Sequence, residues 1–521
     1  MKLLDKYKLH THQIHAIKDF FKIIKNKNEH DIKGMIVSHQ MGLGKTLTSL
    51  YIVMLMANKF KNSINLYVCP KTIIDEVVRD TKKFFGNKFK ILIAHRDYMN
   101  TNELTYKLIS SYNLVITTYE GITSSYTCNE YHNYQRIYNE NDKYFTCAPY
   151  IPCVSNYDNS FGRSIFHDLA WNLIISDESQ KMGNIKTKRS VAMLSLLGKY
   201  KLCLTGTSIR NEPGELLTQF KFIGLKKNIK VKDWLKYFID NKLTKFMSIR
   251  DFDNTNILLP PLFIKDIKVS IIGNHRKIYD ICTKFGEKTS RKNTGINILT
   301  KINRQRQVLN IPLPKKNEKN VNSMLLWNNI CKNTNNYIDN LESILVSAKL
   351  KECVRILLHV QDKNEKALLY SNFTYSFPTI EKSLKKLCNN IKTFILCGAT
   401  KNRGDMIEEF RKYNGCAVMI TNYNVGSNGL NLTEANHVIL FERWWNTAVM
   451  KQSLARAHRF GQKRPVYVYF LTVNKSIESE LMHKICLNKD DMIDKFLEPA
   501  KIDSNYYDTK KNYSEILKQI V

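Results

Sequence analysis

Acidic residues are scarce in this 521-residue chain: 47 Asp and Glu stand against 80 Lys and Arg, a formal charge of +33 at pH 7. That balance predicts a polyanionic partner, with nucleic acid first in line. A solvated basic surface, inflated by a coding bias toward Lys, Asn and Ile, is the plainer alternative. The 12 cysteines include no pair at C-x-x-C spacing, the nearest neighbours being Cys147 and Cys153. Zinc-ribbon, RING-type and redox arrangements therefore lack support, and scattered thiols fit a reducing compartment. No apolar run approaches the ~18 residues that span a bilayer. The N-terminal Met1-Lys-Leu-Leu-Asp-Lys6 opens no hydrophobic signal region. A soluble, intracellular chain is the expectation. With 43% apolar residues, its length predicts two to four domains with ample cores.

What is present is organised around Ile36-Val-Ser-His-Gln-Met-Gly-Leu-Gly-Lys-Thr-Leu47. A short apolar run, Met35 to Val37, reads as a buried strand. After Lys45-Thr46, Leu47, Leu50, Tyr51 and Met54 fall at helical spacing. Strand, glycine-bearing loop, Lys-Thr and helix form a phosphate-binding layout. Met41, Gly42, Leu43 and Gly44 would close backbone N–H groups on a polyphosphate at the positive end of a helix. Lys45 would reach the outer phosphates and Thr46 would hold Mg²⁺. His39 stands where that pattern usually has its first glycine.

Upstream, Ile14, Ile17 and Phe21 predict a core-facing helix. Gln13 on it carries an amide able to pair with an adenine edge, or simply faces solvent. Downstream, Leu66 to Ile73 and Leu114 to Glu120 read as parallel strands feeding polar loops, where Lys71, Thr117 and Thr118 could touch a nucleic-acid backbone. A Tyr- and Asn-rich stretch, about 123–168, reads as an inserted surface subdomain, with base stacking left open. Trp171 to Gln180 is a further strand ending in Asp177-Glu178. Asp177 would hold Mg²⁺, directly or through water, and Glu178 would orient and deprotonate the attacking water. Another strand leads into Thr205-Gly206-Thr207. Periodicity loosens over 226–346, which reads as linker and helical protrusions with basic stretches such as Lys301 to Gln307.

A second α/β pattern starts near Ala348 with Leu350, Val354, Leu357 and Leu358 on a helix. It continues through strands at Lys366, Phe394, Cys416 and Val438. On a helix, Gln452, Arg456 and Arg459 would recur on one side, either as arginine fingers for a nucleotide or as a solvated basic face. The boundaries are 1–225, 226–346, 347–485 and a polar tail, 486–521.

Taken together, Met41 to Thr46, Asp177-Glu-Ser-Gln180 with Asn184, Leu204 to Thr207 with Asn211, Gly429 to Leu432, Trp445-Asn446, and Arg456-Ala-His-Arg459 with Gly461-Gln462 resemble the Swi/Snf family of superfamily-two DNA-translocating ATPases. The resemblance runs from about Leu9 to Glu480. It implies an α/β fold of two RecA-like parallel-sheet domains in tandem with helical insertions, ATP and Mg²⁺ as cofactors, and duplex DNA as partner. It further implies that Gln13 reads adenine and that Thr205, Gly206, Thr207 and Gly429 couple hydrolysis to motion. Gln452, Arg456 and Arg459 would complete the ATP site, and Lys71, Thr118, Ser371, Asn422 and Trp445 would lie nearest DNA.

The sequence departs from the family pattern at Ser208, Arg210, Ser427, Thr447 and Val77, none of which removes a catalytic group. They mark a divergent member, of a kind that a large DNA virus or an AT-rich genome encodes. Nucleus, cytoplasmic viral factory and virion are not distinguished. Poxvirus-type triphosphatases that act with RNA polymerase have a similar layout, so chromatin remodelling and transcription both stand as roles. A strand-separating helicase and a non-catalytic nucleotide-gated scaffold are the competing readings. Glu178 argues against the scaffold, which has no chemical use for it.

Overall fold

The computed structural model describes residues 7–26, 28–60, 63–86, 89–124, 126, 165–206, 214–252, 255, 258–289, 295–312, 347–388, 390–400, 402–426, 431–444 and 446–482. The chain divides into two compact units at Leu258/Leu259.

Unit 1 is built on seven strands: β1 (Gly34–His39), β2 (Asn65–Cys69), β3 (Ile91–Ile93), β4 (Leu114–Thr118), β5 (Trp171–Asp177), β6 (Gly198–Thr205) and β7 (Met247–Arg250). They lie in the order β3-β4-β2-β5-β6-β1-β7, and every pairing is parallel. Parallel strands need crossovers, and helices on both faces leave no wet side. That is why β1, β2 and β4 are buried at every position instead of alternating. Successive residues feed opposite cores. Ile36, Leu66 and Ile174 pack on one side with Leu216, Phe220 and Trp234. Met35, Tyr67 and Leu173 pack on the other with Ala16, Phe20 and Leu50.

Helix α1 (Thr11–Lys25) buries His12, Gln13, Ala16, Ile17 and Phe20. Its core face is thus rotated from the one that Ile14, Ile17 and Phe21 suggest, and Ile14 is exposed. Helix α2 (Lys45–Lys59) begins directly at the loop after β1.

Unit 2 carries six strands, β8 (Leu262–Val269), β9 (Lys366–Tyr370), β10 (Lys392–Leu396), β11 (Ala417–Thr421), β12 (His437–Leu440) and β13 (Val466–Val473), in the order β10-β11-β9-β12-β13-β8, again all parallel. The helix Ala348–Asp362 buries Leu350, Val354 and Leu357 against Leu369 and Ile439, while Leu358 turns outward.

The stretch 226–346 therefore differs from the linker that its loose periodicity suggests. Met247–Arg250 completes the first sheet, and Leu262–Val269 pairs over its full length with β13 in the second. The basic run at Lys301 lies in the helix Gly295–Asn310, where Arg306 is fully buried rather than solvated. Most of the Tyr-rich insert and the tail fall outside the described residues.

Candidate nucleotide site and nucleic-acid edge

The carboxyl ends of β1, β5 and β6, neighbours in the first sheet, bring the predicted phosphate loop, acidic pair and Thr205 to one edge. In open parallel sheets this is the edge where ligands bind. Gly42 and Gly44 have φ of 94° and 72°, a left-handed region that side-chain-bearing residues seldom occupy. Gly44 is needed twice over, because a Cβ there would stand 2.4 Å from Gln13 Nε2. Lys45 opens α2 and donates from Nζ to the His39 carbonyl at 2.9 Å. Thr46 follows in the first helical turn.

Gln13 is buried, which excludes the solvent-facing alternative. Its Oε1 accepts from His10 N at 2.9 Å and its Nε2 donates to the Gly44 carbonyl at 3.2 Å. Both ends of the amide are held by backbone, so pairing with a base requires them to let go.

Asp177 ends β5. Its Oδ2 accepts from the Tyr67 hydroxyl at 2.7 Å and its Oδ1 from Glu178 N at 2.9 Å. Burial, and next the Glu178 charge, push its carboxyl up to about 7, while the Lys45 ammonium pulls the other way. A buried, hydrogen-bonded carboxylate raised in this manner fits a divalent cation, which would restore its ionised form. Thr46, in the first turn of α2, carries a hydroxyl of the kind that would be a second hard-oxygen ligand. No cluster of three or more His, Cys, Asp or Glu suited to a metal occurs among the described residues.

Glu178 sits at φ 52°, ψ 49°, a strained conformation for a residue with a side chain. Its Oε2 accepts a short hydrogen bond from Gln180 Nε2, and Gln180 Oε1 accepts from Thr205 Oγ1 at 2.7 Å. One buried amide thereby joins the acidic pair to the strand end that leads into Gly206. A Cβ on Gly206 would stand 2.9 Å from Met41 Cγ, so a larger residue there would require the Met41 side chain to shift. Gln180 is visible in the sequence only as a motif letter; nothing in its spacing marks it as the bridge. Thr207 and Gly429, the other residues predicted to couple, lie outside the described residues, as do Asn211 and Trp445.

In unit 2 the helix bearing Gln452 runs Thr447–Leu454 and stops there. Arg456 and Arg459 follow in turns, with Arg456 N on Ser453 O and Ala457 N on Leu454 O. The single helix face that their spacing suggests is replaced by a helix end, and the Arg456 carbonyl accepts from Leu432 N at 3.0 Å. Gln452 and Arg456 are buried and Arg459 is half-buried, so a solvated basic face does not describe them. Thr447 occupies the first helical position after Asn446, whose side chain caps the helix by accepting from Val449 N at 3.1 Å. Proline suits that position without being required there, so this departure is structurally mild.

The residues predicted nearest nucleic acid divide by exposure. Lys71 is exposed and ion-paired with Asp97, and Asn422 is half-buried with its Oδ1 accepting from Val425 N. Thr117 and Thr118 are buried, their hydroxyls held by the Ala94 carbonyl and by Gly121 N. Ser371 is also fully buried and donates to Glu442 Oε1 at 3.3 Å. As placed, the side chains of Thr118 and Ser371 position backbone at the sheet edge rather than reach from it.

The chain matches the SNF2-related domain over residues 12–376 and the helicase conserved C-terminal domain over residues 348–461. A protein of Invertebrate iridescent virus 6, named as helicase 172L, is 29% identical over 526 residues, covering 90% of this chain and 85% of its own. An uncharacterised ATP-dependent helicase of Mycoplasma pneumoniae is 25% identical over 498 residues, 92% of this chain and 41% of its own. The chain thus spans most of the viral relative and less than half of the bacterial one. The Sulfolobus solfataricus SWI2/SNF2 ATPase core in complex with dsDNA covers 100% of this chain and 99% of its own, at 20% identity and a TM-score of 0.39.

Proposed function

The chain belongs to the SNF2-related family of ATP-dependent helicases and translocases, and from that premise we propose that it hydrolyses ATP in unit 1 to move along duplex DNA and to remodel or displace protein bound there. The observation that carries the proposal is the buried relay Glu178–Gln180–Thr205 at the end of β5 and β6. It ties a hydrolytic carboxylate to a neighbouring strand end, as coupling of chemistry to movement requires. A non-catalytic scaffold has no use for such a link.

In this reading Lys45 leaves the His39 carbonyl for the outer phosphates, and the loop N–H groups of 41–46 cradle them. Gln13 releases its backbone partners to read adenine. Held by Thr46 and Asp177, Mg²⁺ would neutralise developing phosphate charge. Glu178 orients the attacking water and takes its proton, and Gln180 passes the change in its hydrogen bonding to Thr205. Gln452, Arg456 and Arg459 are assigned to charge neutralisation as the γ-phosphate leaves. Lys71, Asn422 and Trp445 are assigned to the DNA backbone, with Thr118 and Ser371 holding backbone at the edges of their sheets. A charge of +33 supports a partner gripped through phosphates, hence with little sequence preference and steep salt dependence. Chromatin, RNA polymerase and other bound proteins are all open as the thing displaced.

The test is ATP hydrolysis by the full chain alone, with duplex DNA, with single-stranded DNA and with RNA at one salt concentration, beside Lys45→Ala and Glu178→Gln. Stimulation by duplex DNA above the others, lost in both variants, is the expected result. Preference for single strands or RNA would move the assignment to a strand-separating or polymerase-associated ATPase. No hydrolysis at all would favour the scaffold.

A further inference from the structure

The phosphate-loop pattern has a glycine where this chain has His39, and the structure gives that ring a definite place. His39 ends β1 and is fully buried, with Nε2 2.9 Å from Ser248 Oγ on the edge strand β7. Its ring meets that of His12 edge-on, centroids 5.6 Å apart at 65°. His12 in turn donates from Nε2 to the Leu43 carbonyl at 2.9 Å. The two imidazoles therefore hold the loop at its entry and at the residue before Gly44. Two further bonds run beside them: Gln40 N donates to the Arg250 carbonyl at 2.7 Å, and Phe252 N donates to the Gln40 side-chain Oε1 at 3.1 Å. The resting partner of Lys45 is the carbonyl of His39 itself.

A ring that only filled space here would be better apolar, because burying an imidazole sacrifices its hydration. The second ring nitrogen, Nδ1, is buried without a hydrogen-bond partner. That expense is consistent with a geometric task for Nε2. β7 is also the last strand before the chain passes into unit 2, so the bond joins the loop to the segment that leaves the unit.

We propose that His39 is a positioning residue for ATP. By bonding Ser248 and bracing His12, it fixes the loop backbone from which Lys45 reaches the phosphates. The inference rests on the nucleotide-site reading above.

The experiment is calorimetric titration of the full chain with ATP and Mg²⁺, together with KM and kcat for hydrolysis. The proteins are wild type, His39→Gly, Ser248→Ala and His39→Gln. Loss of the buried hydrogen bond should weaken ATP binding about tenfold in His39→Gly and Ser248→Ala. KM should rise by a similar factor, with kcat at saturating ATP much less affected. A variant that merely unfolds would lose kcat while the folded fraction kept its KM. His39→Gln places an amide nitrogen at a similar reach and should restore binding. If the wild type binds ATP and both His39→Gly and Ser248→Ala bind as tightly, the inference is overturned alone. If the wild type binds no ATP, the nucleotide-site reading fails and takes the inference with it.

Discussion

Asp177 is held in a state that favours function over stability. Its carboxyl titrates near 7 in the fold against about 3.8 in an unfolded chain. A group raised in this way contributes stability below its unfolded value, and that contribution is lost as pH rises through the folded value. Above pH 7, without cation or nucleotide, the buried negative charge beside Glu178 therefore works against the fold. Asp177→Asn should stabilise the free protein by on the order of 4 kcal/mol at pH 8 and by little at pH 3, where the wild-type carboxyl is neutral in the folded and the unfolded chain alike. Thermal unfolding at the two pH values checks this, and an equal effect at both would contradict it. At this scale the sequence was partly legible. Asp177 and Lys45 stand out because chemistry demands those types at strand ends. Gln180 and Ser248 do not, since an amide or a hydroxyl acquires its role only from the neighbour that the fold delivers.

The second sheet is locked to its flanking helices by a buried polar network. Lys349, on the helix Ala348–Asp362, donates to Glu478 Oε1 at 2.6 Å and to Asn310 Oδ1 at 2.9 Å. Asn310 donates onward to Glu442 Oε2 at 2.7 Å, and Glu442 receives the backbone N–H of Asn372 just past β9. Burial drives the Lys349 ammonium down and the Glu442 carboxyl up from their ordinary ranges, and partners of opposite charge counter both. Lys349→Met leaves Glu478 buried and uncompensated, which should cost about 3–5 kcal/mol in the unfolding of unit 2. Lys349→Met with Glu478→Leu should recover much of the loss, as a chemical denaturation series would show. Element boundaries were the less legible part. β7 has four residues, too few for alternation to register, and β8 presents Leu262, Phe263 and Ile264 to solvent as an edge strand. β7 carries no apolar run of the kind that exposes β11 in the sequence, and the short run Leu262 to Ile264 in β8 is masked by Pro260-Pro261 before it and Lys265-Asp266 after it. The helix after Asn446 ends at Leu454, and just beyond it the Arg456 carbonyl accepts from Leu432 N, a tertiary contact that i, i+4 spacing cannot report.

At the scale of the whole molecule, two all-parallel sheets follow one another along the chain, each with its functional candidates at the carboxyl edge. No helix among the described residues is long and apolar enough to cross a membrane. The fold class was readable because the strands of doubly covered parallel sheets are near-continuous apolar runs with polar endings, and such runs recur through both halves. The overall charge was equally plain, and the proposal it supports is that ATP turnover drives movement along an intact duplex. The most direct measurement is displacement of a third strand from a triplex placed on duplex DNA, with ATP and Mg²⁺. The account predicts ATP-dependent release by the wild type, none by Lys45→Ala, and no separation of the underlying duplex. Release without ATP, or separation of the duplex strands in its place, would contradict it.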